Sequence, residues 1–204
     1  FVGVGGSFRN LGRISRLIKK YPFNMTHNYE LPVSEFENIY NTIRKLDLNS
    51  TARIKGLSSS RADIFPSALA VMKAVLSKFT FEKITISGCG LREGAMFRYA
   101  VPGVNERPLS DVLGHSLYTQ MRYHDLNIDH AEHVYNLSIQ LFKQLKVLHK
   151  MPRAYVRVLK IAALMHDSGM RIKFYNHQLH SAYIILNSTL YGVPHKDIVV
   201  AAFV

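Results

Sequence analysis

The sequence predicts an α+β chain, with a partial α/β lobe in its first half and an all-α domain in its second. Three observations carry that reading. "FVGVGGSFRN" and "KITISGCG" each place a short apolar or β-branched run before a glycine turn, and "LGRISRLIKKY" follows the first turn with helical periodicity. After "VPGVNERPLS" no strand pattern recurs, and the remainder reads as successive amphipathic helices. The expected domains are 1–105 and 106–204.

Each element has a local reason. The opening run is a strand end and turn, with Ser7 as the expected N-cap of a helix whose apolar stripe is Leu11, Ile14, Leu17 and Ile18. Arg9, Arg13, Arg16 and Lys20 fall at helical spacing on another stripe. In "LPVSEFENIYNTIRKLDLNS", Ser34 and Glu37 have the spacing of a capping box, and Phe36, Ile39, Tyr40, Ile43 and Leu46 form the face to be buried. "FPSALAVMKAVLSKF" is a further helix, where Pro66 suits a first turn whose N–H groups lack helical partners anyway. "KITISG" is a β-branched strand stopped by Gly88, feeding the turn "GCGLREG". In the second half the periodicity predicts helices over 110–123, 130–149, 153–168, 176–190 and from 195 onward, with Gly192-Val193-Pro194 separating the last two.

Composition narrows the function classes. With 48% hydrophobic residues the chain can bury real cores, and a single cysteine, Cys89, excludes an internal disulfide framework and suits a reducing cytoplasm. No signal peptide and no run long enough for a membrane span is present, so no membrane partner is expected. The sequence begins inside "FVGVGG" without a methionine and stops in an apolar helical run, so the expectation is a piece of a longer protein. Net charge is +12, with 16 Lys+Arg against 8 Asp+Glu up to residue 110 and 10 against 6 after it. That excess suits a polyanionic partner or simply a solubilising surface. Nucleic acid is disfavoured, because the basic helix lacks a recognition motif and the aromatics are not interleaved with the charges.

Two stretches carry chemistry. Phosphates bind where glycines let the backbone come close and a helix N-terminus presents free N–H groups, and "GVGGSFRN" offers both together with Ser7 and Arg9. A P-loop is excluded, since no Gly-Lys-Ser/Thr ending exists, and the dinucleotide fingerprint is unmatched. Farther along, "ALMHDSGMRIKFYNHQLHSAYII" collects His166, Asp167, His177 and His180, all types that ligate metal. A single buried histidine ordinarily bonds a carbonyl, so a metal reading rests on the joint pattern.

"GVGGSFRNLGRI", "GLSSSRADIFPSAL" and "ITISGCGLREGAMF", in that order, resemble the second half of the exopolyphosphatase and guanosine pentaphosphate phosphohydrolase (Ppx/GppA) family. The resemblance implies the latter part of an actin-like (ribonuclease H-like) α/β lobe. It implies phosphate contacts from Gly5, Gly6, Ser7, Arg9, Arg61 and Arg92, with Gly3, Asp63 and Glu93 inside the same motifs; a bridge between Arg92 and Glu93 that fixes the loop is the alternative role for that pair. It implies a Mg-dependent hydrolysis of inorganic polyphosphate or guanosine polyphosphate in an interlobe cleft, and a possible homodimer. The water-activating glutamate would belong to a first lobe outside this sequence, so no catalytic residue is assigned and these residues alone are not expected to hydrolyse substrate.

"HAEHV", "MHDSG" and "HQLHSA" resemble the HD domain appended to those lobes. By that resemblance His130, His166 and Asp167 hold a divalent metal (Mn, Fe, Ni or Zn) with His177 as a supplementary ligand. Met170 stands where many active HD enzymes carry lysine, and the late ligand would lie beyond Val204, Asp197 being too early. The helical domain is therefore expected to be a metal-dependent nucleotide phosphohydrolase in its own right, or a non-catalytic module that dimerises the protein or extends a substrate channel.

Overall fold

The computed structural model describes residues 1–22, 24–100 and 109–204. The chain forms two compact units, Phe1–Val104 and Asn105–Val204. The predicted linker "VPGVNERPLS" lies mostly outside the described residues.

The first unit wraps helices around a three-stranded sheet of order β1-β3-β2, with β1 at Val2–Gly3, β2 at Tyr29–Pro32 and β3 at Lys83–Ile86. β1 runs parallel to β3 with Val2 beside Thr85, and β2 runs antiparallel with Leu31 beside Ile84. The helices are α1 (Gly6–Ile18), α2 (Val33–Ile43), α3 (Leu48–Ala52), α4 (Phe65–Lys78) and α5 (Leu91–Ala100), with a 3-10 turn at Ser59–Arg61. Leu11, Leu31, Phe36, Phe65, Leu69, Ile84 and Ile86 are fully buried where α1, α2 and α4 meet the sheet. β2 has no counterpart in the sequence reading. It alternates Tyr29 and Leu31 inward with Glu30 and Pro32 outward, a period-two signal only four residues long and followed at once by a helix.

Several local expectations are corrected. Ser7 does not cap α1: the cap is Gly5, at φ 105°, and Ser7 lies inside the helix. Ser34 and Glu37 form no capping box. The Val33 N–H bonds the Glu82 carbonyl at 3.0 Å, so α2 starts straight from β2 with Pro32 at its cap, and Glu37 reaches across to Lys73 at 2.5 Å. On α1, Leu11 and Ile14 are buried but Leu17 and Ile18 are more than half exposed, while Arg16 is buried. Leu46 lies past the end of α2 and is exposed. "GLREG" is not a turn throughout, because α5 begins at Leu91 and carries Arg92 and Glu93 in its first turn.

The second unit is helical throughout its described residues: α6 (Val112–Tyr123), α7 (Ile128–Gln144), α8 (Lys146–His149), α9 (Tyr155–Met165), α10 (His177–Asn187) and α11 (His195–Ala202), with a 3-10 turn at Ser168–Arg171. The stretch 130–149 is two helices that meet at Leu145, and the second ends on a left-handed Lys150. α9 is central. Val158 and every residue from Ile161 to Met165 are buried, and α6, α7 and α11 all pack on it. A helix enclosed this way fixes whatever side chains follow its last turn, and those are His166 and Asp167.

Candidate functional site

In the first unit the glycine turn brings a helix N-terminus and an arginine together. At φ 105° Gly5 occupies backbone space that L side chains rarely adopt, and it releases the chain into α1 with the N–H groups of Gly6, Ser7 and Phe8 lacking helical carbonyl partners. The positive end of the helix dipole lies there. Gly6 leaves room of a different kind: a Cβ on it would sit 2.6–2.8 Å from the Arg61 guanidinium, which would have to move aside. Arg61, delivered by the 3-10 turn, thus lies directly against the helix N-terminus, and its guanidinium has no carboxylate partner among the described residues.

Arg9 ties this turn to the one after β3, its Nη1 donating to the Gly88 carbonyl at 3.2 Å. His27 Nδ1 accepts the Gly88 N–H at 3.2 Å and orders the same turn, a contact with no sequence signal. The Glu93 carboxylate accepts the Gly90 N–H at 2.7 Å and forms no ion pair with Arg92. Its own and Gly90's backbone N–H groups hold its carboxyl below the usual carboxylate range, with smaller help from Arg92 and Arg9. Arg92 is exposed, as is Asp63, and the Ser7 hydroxyl has no partner among the described residues. Arg61 therefore lies against Gly6, Arg9 reaches the turn after β3, and Arg92 is exposed next to Glu93.

In the second unit α7, α9 and α10 bring three imidazoles onto one carboxylate. His130 is in the first turn of α7, where its N–H donates to the Asn127 cap at 3.1 Å. Its Nε2 lies 3.5 Å from Asp167 Oδ2, and His166 Nε2 lies 3.1 Å from that same oxygen. These three residues have one ligand atom each within 4.8 Å of one another. His177 approaches from the other side, its Nε2 being 3.4 Å from Asp167 Oδ1, so it stands outside that trio.

The tautomers follow from the backbone. His166 Nδ1 is 2.8 Å from the Ala163 carbonyl and His177 Nδ1 is 2.9 Å from the Phe174 carbonyl. A carbonyl only accepts, so each Nδ1 carries a proton, and a ring with no second proton turns an Nε2 lone pair towards Asp167. Lone pairs facing an anionic oxygen repel unless a cation lies between them or the rings are protonated. Carbonyl-anchored Nδ1–H with free Nε2 is also the arrangement that orients histidine for a metal. The donor set fits a divalent transition ion.

Gly169 makes this possible. A Cβ there would fall 2.2 Å from the His177 carbonyl and 2.5 Å from the Ser181 nitrogen. With that room, Ser181 Oγ accepts the Gly169 N–H at 2.8 Å and donates to the His166 carbonyl at 2.5 Å, which docks α10 on the 3-10 turn. His180 lies on this face without joining the cluster, and His133 is exposed. Met170 is exposed beside it. Asp197 is engaged elsewhere, with Arg157 Nη2 2.9 Å from its Oδ2 at ion-pair distance but without hydrogen-bond alignment.

An α/β unit with Arg61 set against a glycine-capped helix N-terminus, in a chain that also carries a helical unit with a His/Asp cluster, defines a two-part α/β-plus-helical class of protein. The chain belongs to the Ppx/GppA phosphatase family: residues 2–101 match the model of that family, and residues 115–204 match its domain III. It is 32% identical over 141 residues to the guanosine-5'-triphosphate,3'-diphosphate pyrophosphatase of Aeromonas salmonicida, covering 69% of this chain and 28% of the relative. The proteins of the same name from Aeromonas hydrophila and Aliivibrio fischeri are 31% and 28% identical, over 69% and 72% of this chain. The chain spans 27–28% of the length of these relatives.

Proposed function

We propose that this chain is the anion-holding and helical part of a phosphoric anhydride hydrolase that releases terminal phosphate from a linear polyphosphate or from a guanosine polyphosphate. One observation carries the reading: an Arg61 guanidinium without a counter-carboxylate among the described residues, laid against the Gly5–Gly6 turn at the N-terminus of α1. Backbone N–H groups stabilise phosphate oxygens best when they are fixed in advance, as the start of α1 fixes them here, and a planar arginine fork adds charge and a two-point grip. Gly5, Gly6, Ser7, Arg9 and Arg61 hold the anion, and Arg92 meets its outlying charge. The names of the curated relatives favour a guanosine polyphosphate, whereas polyphosphate rests on the resemblance of the sequence motifs. Titration calorimetry with tripolyphosphate tests the assignment. Saturable binding that falls about tenfold or more in Arg61→Ala, the loss of one charged fork, supports it. Equal binding by both proteins overturns it.

A second reading concerns the helical unit, which the convergence of three Nε2 atoms on Asp167 favours. His130, His166 and Asp167 would hold a divalent ion there with His177 beside them, and such an ion neutralises phosphate oxygens and acidifies water. Elemental analysis of the purified chain beside a His166→Ala, Asp167→Ala double variant is decisive. About one metal per chain, lost in the variant, makes this a working site. No metal in either leaves the cluster a structural one.

A further inference from the structure

The other end of α1 holds an arrangement that the glycine-turn site does not use. Arg16 is 5% exposed, yet it pairs with no carboxylate among the described residues. Its Nη1 donates to Asn24 Oδ1 at 3.0 Å and its Nη2 to Thr26 Oγ1 at 2.8 Å, while its buried Nε has no partner among those residues. The nearby carboxylate of Glu35 is already taken by Ser15 and Lys19. Arg13, one turn earlier and exposed, has no hydrogen-bond or ion-pair partner among the described residues and adds like charge. Burial first, and Arg13 second, hold the Arg16 guanidinium below its usual range.

Donors predominate among the polar groups of the lining. Asn24 and Thr26 spend acceptor oxygens on Arg16, which leaves the Asn24 amide hydrogens and the Thr26 hydroxyl hydrogen to donate. With the two arginines they border a concavity of about 540 Å³ walled by Leu17, Tyr21 and Pro22. What remains unsatisfied among the described residues is the buried Nε of Arg16, the outward donors of Asn24 and Thr26 and the charge of Arg13, and an anion would satisfy them. A tetrahedral dianion can accept from several directions at once, as this set requires.

We infer that Arg13, Arg16, Asn24 and Thr26 form a second phosphate-binding site on the first unit, taking inorganic phosphate, pyrophosphate or a phosphate ester. Its arginines lie about 10 Å (Arg13) and about 15 Å (Arg16) along α1 from Gly6, at 1.5 Å of rise per residue. The inference stands independently of the proposed hydrolase.

Nitrogen-15 NMR of arginine side chains tests it on the full chain, with inorganic pyrophosphate as probe. The Arg16 Nε–H resonance, assigned by its loss in Arg16→Lys, should move saturably. The same movement should persist in Arg61→Ala, which silences the glycine turn, and the affinity should fall about tenfold in Arg13→Ala. Arg13 is at the surface, so its variant keeps the test decisive even if Arg16→Lys does not fold. Three results overturn the inference: no saturable shift, an equal shift with chloride at matched ionic strength, or a shift lost in Arg61→Ala and retained in Arg13→Ala.

Discussion

At Gly6 a single hydrogen decides whether Arg61 can reach the end of α1. A Cβ would meet the guanidinium at 2.6–2.8 Å, but that group is the far end of a flexible side chain. Gly6→Ala is therefore expected to change stability by less than about 1 kcal/mol while weakening tripolyphosphate binding about tenfold, measured by denaturant melts and calorimetry on one preparation. A large stability loss with unchanged binding would show that the glycine serves packing alone. Glycines, arginines and hydroxyls at the turn were legible because their types state their chemistry. Which serine caps a helix was not: Ser7 and Ser34 both have cap-like neighbours, yet Gly5 and Pro32 take the caps because strand pairing sets where each helix starts. Lys19 shows the same dependence on context. Its ammonium is held above its usual range first by the hydrogen bond to Glu35, a residue on a different helix.

Elements meet through a few contacts whose removal has calculable sign. Asp111 caps α6 by accepting the Gly114 N–H at 2.8 Å and binds Lys160 of α9 at 2.7 Å. Lys160 first, and Gly114 second, hold its carboxyl below the usual range. The stabilisation is thus fully present above the unfolded value of about 3.9 and is lost as pH falls through the lower folded value. Asp111→Ala should cost about 1 kcal/mol at neutral pH, mostly the cap since the pair is exposed, and should flatten the acid side of a stability profile below about pH 4. Gly169→Ala is more severe. The added carbon would strike backbone at 2.2 and 2.5 Å, so α10 must move, with an expected loss of about 2–3 kcal/mol and of any metal that needs His177, read by melts and elemental analysis. β2 was missed at this scale because a four-residue alternation becomes a strand only when β3 offers it a ladder.

For the whole molecule the net charge of +12 matters more than any pair of residues. Binding of tripolyphosphate should weaken steadily as salt rises from about 50 to 200 mM, because screening shortens to roughly a Debye length of 10 Å or less, and salt-insensitive binding would argue against electrostatic capture. None of the described helices is long and apolar enough to cross a membrane. Taken alone, the sequence determined the α+β class, the change from strands to helices after residue 100, and the residue types at both candidate sites, since periodicity, glycine turns and titratable side chains are local properties. Only the tertiary structure decided which of these meet. It set Arg61 against Gly6, tied Arg9 to Gly88, turned the Nε2 atoms of three histidines towards Asp167, and buried Arg16, which the sequence pattern placed with Arg9, Arg13 and Lys20 on one stripe. Those outcomes depend on long-range packing, in which the sheet and the central helix choose the side chains that face inward, and no window of neighbouring residues contains that choice.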